Sequence, residues 1–163
     1  MITLAQPSID LNVLRTQVGW LSDQETMRYS EQRHRTHTIQ TQIEYIKSFL
    51  NHPDNVLREI RVNGDMVGTI SAYVDRFNLV ADVGLLIPRY HWGKGYGYTA
   101  WAALCDTLFD NVGLRRIEGG CMAANTAMIE IFRKYGMHEE GRRQNHFIVD
   151  GAYSDLVLYG RFR

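Results

Sequence analysis

The residues best suited to chemistry are three glycines at alternate positions, Gly93, Gly95 and Gly97, with Lys94 between the first two. They follow an apolar run that stops at Pro88 and precede a helical pattern. Glycines let a backbone turn sharply and approach a ligand closely. The first N–H groups of a helix lack intrahelical partners and carry partial positive charge. A strand, a glycine turn and a helix start therefore predict a phosphate site, although the spacing matches neither a P-loop nor a dinucleotide fingerprint.

Residues 87–100, with residues 125–137 downstream, resemble the Gcn5-related N-acetyltransferase (GNAT) superfamily. Within it, they resemble the ribosomal-protein alanine N-acetyltransferase branch. The signature of that family is Gln/Arg-x-x-Gly-x-Gly/Ala, and Gly95 and Gly97 stand at its glycine positions. Trp92 stands where glutamine or arginine is usual. Because the phosphate contacts of the family come mostly from backbone N–H groups, this departure should matter little.

The resemblance implies acetyl-CoA as co-substrate and no metal. Backbone N–H groups of residues 92–98 would bind its pyrophosphate, and the end of the preceding strand would pair with pantetheine as an added strand does. Asn125 matches a family asparagine that contacts the CoA arm, and a plain helix N-cap is its alternative role. The predicted cofactor-binding residues are Leu85, Leu86, Ile87, Trp92, Gly93, Lys94, Gly95, Tyr96, Gly97, Tyr98 and Asn125.

Acetyl transfer to an amine requires an unprotonated amine held against the thioester carbonyl, and stabilisation of the negative charge on its oxygen. Asp82 is the first candidate for the general base, because related enzymes often carry an acidic residue there. Glu118, on the facing strand, is the second. A solvated or salt-bridged carboxylate is the alternative for each. Many family members carry a tyrosine acid where this chain has Phe132, which has no proton to give, and Tyr135 is predicted to be a core residue.

The acceptor side is predicted from residues 27–35, which are polar and without a clear period, as is typical of a functional or mobile loop. Glu31 and nearby aromatics suit a cationic amine or a sugar ring, whereas Arg33 with His34 suits a phosphate such as that of a nucleotide sugar. An ordinary polar surface loop is the alternative. The predicted acceptor-binding residues are Tyr29, Glu31, Arg33, His34 and Tyr73.

The order of predicted elements positions these residues. A strand and two helices precede a three-strand meander, with Asn63-Gly64 as a hairpin signal. A helix, a strand, a helix and a final hairpin follow, and the strand–helix–strand unit predicts a parallel pair. The prediction is one α/β (α+β) domain over residues 1–163, with the GNAT fold. Its mixed, mostly antiparallel sheet has about seven strands, with about four helices. By its resemblance to the GNAT fold, the central parallel pair, residues 81–87 and 116–122, is expected to splay apart and admit pantetheine.

Composition narrows the function classes. The chain has 18 Lys and Arg against 18 Asp and Glu, which argues against a nucleic-acid binder that relies on bulk positive charge. No apolar run approaches the roughly 20 residues of a membrane span, and the N-terminus lacks a signal-peptide layout. We therefore expect a cytoplasmic protein with neither nucleic-acid nor membrane partners.

The predicted function is acetyl-CoA-dependent N-acetyl transfer, directly to a primary amine. The acceptor is a small molecule (amino sugar, polyamine or amino acid) or a protein N-terminus. A small amine is favoured because a neutral chain offers no obvious ribosome-binding surface. The alternative is a non-catalytic acyl-CoA-binding sensor or regulatory module, which Phe132 permits. Small domains of this fold often dimerise, so a homodimer is an open alternative to a monomer.

Overall fold

The structure, a computed structural model, describes all 163 residues. Its strands are β1 (Ile2–Ala5), β2 (Val56–Val62), β3 (Asp65–Asp75), β4 (Val80–Leu86), β5 (Arg116–Met122), β6 (His138–Val149) and β7 (Ala152–Phe162). Its α-helices are α1 (Leu11–Ser22), α2 (Gln24–Met27), α3 (Ile39–Leu50), α4 (Tyr96–Asp110) and α5 (Thr126–Lys134). A short 3₁₀ turn (Arg89–His91) follows β4.

Local signals account for most of these boundaries. The Asp10 carboxylate accepts hydrogen bonds from two N–H groups at the start of α1, and Thr38 forms a capping box on α3, because each end needs acceptors for free N–H groups. Asn63 and Gly64 both have positive φ, at 51° and 93°, which suits a tight hairpin. The extra helix α2 was missed, since Asp23 caps a further turn rather than ending the helical region.

One sheet joins all seven strands in the order β1-β2-β3-β4-β5-β7-β6, and only the β4–β5 pair is parallel. Strands β4 and β5 pair only at Val80–Arg116, Ala81–Ile117 and Asp82–Glu118. Beyond Asp82 the two strands make no mutual ladder bonds, so the predicted splay is present. The predicted fold class is confirmed.

The helices cover the sheet unequally. The larger core packs α4 and α5 against one face, with Trp101 and Phe132 nearly free of solvent. A smaller core packs α1 and α3 against the other face, around Leu14 and Ile46. Two cavities open beside the splayed ends of β4 and β5. None of the helices is both long and apolar enough to cross a membrane.

Candidate active site

The glycine turn after β4 has the conformation that a phosphate site needs. Gly93 and Gly95 have φ of 73° and 76°, a region that favours glycine. A Cβ on either residue would meet no atom within 4 Å, so open space lies in front of the backbone. Gly95 caps α4 without a side-chain hydrogen bond, which leaves the first N–H groups of α4 free for an anion.

Gly97 also serves helix packing. A Cβ there would lie 3.0 Å from Ile131 Cδ1 and 3.1 Å from Leu85 Cδ2. The missing side chain lets α4 pack closely against β4 and α5. The helix start is thereby fixed beside the splayed strands.

Trp92, which departs from the family signature, closes the turn. Its indole N–H donates to the carbonyl oxygen of Ile87 at 2.7 Å. This bond ties the end of β4 to the beginning of the glycine turn, and it occupies one lone pair of a backbone group that was predicted to face pantetheine. The indole therefore helps to set the path of the chain into the phosphate turn.

A groove of about 790 Å³ runs from the glycine turn along β4 to the start of α5. It contains all the predicted cofactor-binding residues except Lys94, which is exposed and outside the lining. Asn125 lines the groove while its side chain accepts from Met128 N at 3.2 Å, so its N-cap role and a ligand-facing position coexist.

The groove also contains two basic residues that are not among the predicted cofactor-binding residues. Lys134 lines it, with its ammonium 4.1 Å from the ring centre of Tyr98; a basic residue in the last turn of α5 was the only available signal. His91 also lines it, and its buried Nδ1 has no partner. Burial, with a contribution from Lys94, lowers the pKa of His91, which favours a neutral ring there.

A second cavity, of about 690 Å³, lies on the other side of the splay. We call it the acidic chamber, because four carboxylates line it with a single guanidinium: Glu31, Asp82, Glu118 and Glu140 with Arg116. The groove and the chamber share six lining residues: Tyr29, Ser71, Gly84, Leu85, Asn125 and Met128. They therefore meet where β4 leaves β5.

The two predicted base candidates lie side by side at this junction. Asp82 and Glu118 are the last residue pair of the β4–β5 ladder, and Tyr73 faces Asp82 from β3. Because Asp82 borders a cavity, solvent reaches it, but the walls displace much of the bulk water. This desolvation, with smaller contributions from the charges of Glu118 and Glu31, raises the pKa of Asp82 to about 6.

Glu118 has a partner that Asp82 lacks. Arg116 Nη2 lies 3.0 Å from Glu118 Oε2, and Arg116 Nη1 donates to Glu140 Oε1 at 2.6 Å. Glu118 is thus in part the salt-bridged carboxylate that the sequence reasoning considered. The sequence did not single out Arg116 or Glu140, because Arg116 and Glu140 come from different strands.

The predicted acceptor residues divide into two groups. Tyr29, Glu31 and Tyr73 line the acidic chamber, but Arg33 and His34 line neither cavity. Arg33 instead donates to the carbonyl oxygens of Ser30 and Ile148, at 2.9 and 2.8 Å. Its guanidinium fastens the loop between α2 and α3 to β6, so the structure does not bring the suggested phosphate-binding pair to the site.

Phe132, which stands at the position of the family tyrosine, is a residue of the hydrophobic core. Phe132 is 1% exposed, and its ring centre lies 5.0 Å from that of Tyr159 and 5.3 Å from that of Trp101. Tyr135 is buried as predicted, and its hydroxyl donates to Asp106 at 2.7 Å. Neither residue offers a proton in the chamber. No group of three or more His, Cys, Asp or Glu side chains is placed to hold a metal.

Comparison with known proteins agrees with this architecture. The family model described as "Acetyltransferase (GNAT) domain" matches residues 2–138. An uncharacterized N-acetyltransferase, p20, of Bacillus licheniformis is 27% identical over 101 residues, which cover 61% of this chain and 57% of that protein. The match therefore spans less than two thirds of the relative's length.

Two solved structures are similar over nearly the whole chain. One is the spermidine N-acetyltransferase of Vibrio cholerae in complex with CoA and spermine, with a TM-score of 0.85 at 18% identity, covering 99% of this chain and 95% of that one. The other is RimL, a ribosomal L7/L12 α-N-protein acetyltransferase in complex with CoA, with a TM-score of 0.84 at 16% identity, covering 99% and 93%. At these identities the likeness concerns the fold. With a family model that matches most of the chain, from β1 through the glycine turn to the start of β6, the chain belongs to the Gcn5-related N-acetyltransferase (GNAT) superfamily.

Proposed function

We propose that this chain is an acetyl-CoA-dependent N-acetyltransferase, formed by one domain over residues 1–163, whose acceptor is a small cationic primary amine such as a polyamine or an amino sugar. One observation carries the proposal. A groove lined by the glycine turn and an acidic chamber meet at the splay of β4 and β5, with Asp82 at the junction.

The chemistry of the groove supports acetyl-CoA as the co-substrate. Free N–H groups of the glycine turn and of the start of α4 suit the pyrophosphate, and each charge-assisted hydrogen bond contributes about 1.5–3 kcal/mol. Beyond Asp82, the side of β4 that faces β5 has no ladder partner. The free backbone groups along this edge of β4 can pair with the amides of pantetheine, as an added strand does.

Charge in the chamber supports a cationic acceptor. Four carboxylates face one guanidinium that is already paired twice, so an ammonium is favoured and an added carboxylate or phosphate is repelled. Tyr73 is 50% exposed and offers a ring face to an ammonium or an alkyl chain. Among the acceptors suggested by the sequence, an amino acid or a nucleotide sugar therefore fits less well than a polyamine or a simple amino sugar.

The proposed reaction assigns the proton to Asp82. With a pKa of about 6, Asp82 is ionised at neutral pH and can accept a proton from the bound ammonium, directly or through a water. A backbone N–H of β4 near Gly84 would stabilise negative charge on the thioester oxygen. A thiol with a pKa near 8.5 is a fair leaving group, so the chain needs no tyrosine acid at Phe132.

The test is release of free CoA from acetyl-CoA, measured with a thiol reagent against acceptors of equal chain length. Butylamine, 1,4-diaminobutane and 4-aminobutyrate differ only in the charge at their far end. We expect the diamine to be the best of the three and 4-aminobutyrate the poorest. Amino sugars and short peptides with free N-termini complete the panel.

Each outcome is informative. A preference for 4-aminobutyrate or for peptides would overturn the cationic small-molecule acceptor. Calorimetric binding of acetyl-CoA without release of CoA with any amine would favour the sensor alternative. Absence of both binding and release would refute the proposed function.

A further inference from the structure

We propose that Arg116 is a positioning residue for acetyl transfer: it holds Glu118 and Glu140 on one wall of the acidic chamber and leaves Asp82 as the carboxylate that takes the proton of the acceptor. This inference rests on the proposed function. It concerns a residue that does not itself react and that acts through two others.

The contacts of Arg116 are those of a bridge. Arg116 and Glu118 are two residues apart on β5, so their side chains lie on the same face of the sheet. The guanidinium also forms a two-bond pair with Glu140 on β6, across β7. Only 16% of the Arg116 side chain is exposed. Bidentate geometry with low exposure makes this pair more rigid than an ordinary surface ion pair.

Gly160 of β7 provides the space for this bridge. It is the register partner of Glu118. A Cβ on Gly160 would lie 2.5 Å from Glu140 Oε1 and 2.6 Å from Arg116 Nη1. Any side chain there would displace the ion pair. The strand between the two glutamates therefore lacks a side chain at the one position that the bridge crosses.

Asp82 has no comparable restraint. Arg116 donates hydrogen bonds to both Glu118 and Glu140. The Asp82 carboxylate, which pairs in register with Glu118, accepts no hydrogen bond and forms no ion pair. The acceptor ammonium therefore meets two carboxylates that are already paired, Glu118 and Glu140, and two that are not: Asp82 at the junction with the groove, and Glu31 on the loop between α2 and α3. The charged and titratable groups that line the chamber with Asp82 are Tyr29, Glu31, Tyr73, Arg116, Glu118, Cys121, Glu140 and Tyr159.

The bridge has a signed electrostatic consequence. Removing the guanidinium leaves Glu118 and Glu140 uncompensated, and their charges then disfavour the ionised form of Asp82 more strongly. Removing the charge of Glu118 does the opposite, because Glu118 is the nearest like charge in the ladder. Arg116→Gln should therefore raise the pKa of Asp82, and Glu118→Gln should lower it, each by on the order of one pH unit.

The primary measurement needs no acceptor. The pKa of Asp82 is read by NMR from its side-chain carboxyl carbon in the wild type, Arg116→Gln and Glu118→Gln. Arg142→Gln is the matched control, because Arg142 also bridges two carboxylates, Glu139 and Asp155, but lines neither cavity. We expect the pKa of Asp82 to be higher than in the wild type in Arg116→Gln, lower in Glu118→Gln and unchanged in Arg142→Gln. An unmoved Asp82 in Arg116→Gln, or shifts of the same sign in both variants, would overturn the inference.

The second measurement is the acidic limb of kcat/KM against pH with the best amine of the panel. The apparent pKa of this limb should change as the pKa of Asp82 does. In Arg116→Gln it should rise by about one pH unit, which lowers kcat/KM about tenfold at pH values below the limb. If the acidic limb does not move with the pKa of the carboxyl group, Asp82 is not the group that takes the proton.

If Arg116→Gln fails to fold, Gly160→Ala is the substitute, because it displaces the ion pair without removing a charge. It too should change the pKa of Asp82. If the wild type acetylates no amine but the NMR shifts are as expected, the proposed function is refuted and the electrostatic role of Arg116 is not.

Discussion

Replacing Asp82 by asparagine should make the protein less active and, at neutral pH, more stable. The chamber wall holds this carboxylate in partly desolvated surroundings beside Glu118, which is unfavourable to the charge. Asparagine removes the charge and keeps the shape. Because the general base is lost, acetyl transfer should fall by about 100-fold.

The magnitude follows from the pKa of Asp82, which is raised from 3.8 to about 6. About two pH units correspond to about 3 kcal/mol for a fully shielded group. Since solvent reaches Asp82 through the chamber, we discount this to about 1 kcal/mol. The raised pKa means that the folded protein binds more protons than the unfolded chain between pH 3.8 and about 6. Stability is therefore lost as pH rises through that window, and the penalty is complete above it.

The assay is urea unfolding of the wild type and Asp82→Asn at pH 7 and below pH 4. The variant should be more stable by about 1 kcal/mol at pH 7 and indistinguishable at the lower pH. Asp23→Asn is the control of opposite sign, because hydrogen bonds from Thr26 lower the pKa of Asp23, so its charge favours folding at pH 7. A variant no more stable than the wild type at pH 7, or equally stabilised at both pH values, would refute the reasoning.

Three further changes test other parts of the site. Gly95→Val strains a residue with φ of 76° and fills the space before the phosphate turn, so acetyl-CoA affinity by calorimetry should fall by at least about tenfold; unchanged affinity would place the phosphate elsewhere. Gly68→Ala would put a Cβ 2.5 Å from the carbonyl oxygen of Leu86. Thermal unfolding should therefore show a free energy of unfolding lower by about 1–3 kcal/mol, and an unchanged stability would contradict this close packing. Arg33→Ala frees the loop from the carbonyl of Ile148, so the acceptor KM should rise while acetyl-CoA affinity stays constant; a change confined to acetyl-CoA affinity would contradict this role.

The sequence alone was sufficient wherever neighbours along the chain decide the structure. The Asn63-Gly64 hairpin, the N-caps at Asp10 and Thr38 and the glycine turn follow from local backbone geometry and local hydrogen bonds. The strand–helix–strand pattern and the short hairpin loops were enough for the antiparallel meander and the parallel pair. The same reasoning missed α2, because Asp23 can either end one helix or cap the next.

Only the tertiary structure decided which polar residues share a site. Asp82 and Glu118 face each other because of the parallel register, and Arg116 reaches Glu140 because β7 inserts between β5 and β6 with a glycine at the crossing point. The sequence suggested Arg33 as an acceptor-binding residue, but its guanidinium donates a hydrogen bond to the carbonyl oxygen of Ile148 in β6. Register, strand order and the space left by a missing side chain depend on contacts between distant parts of the chain, and no local pattern encodes those distances.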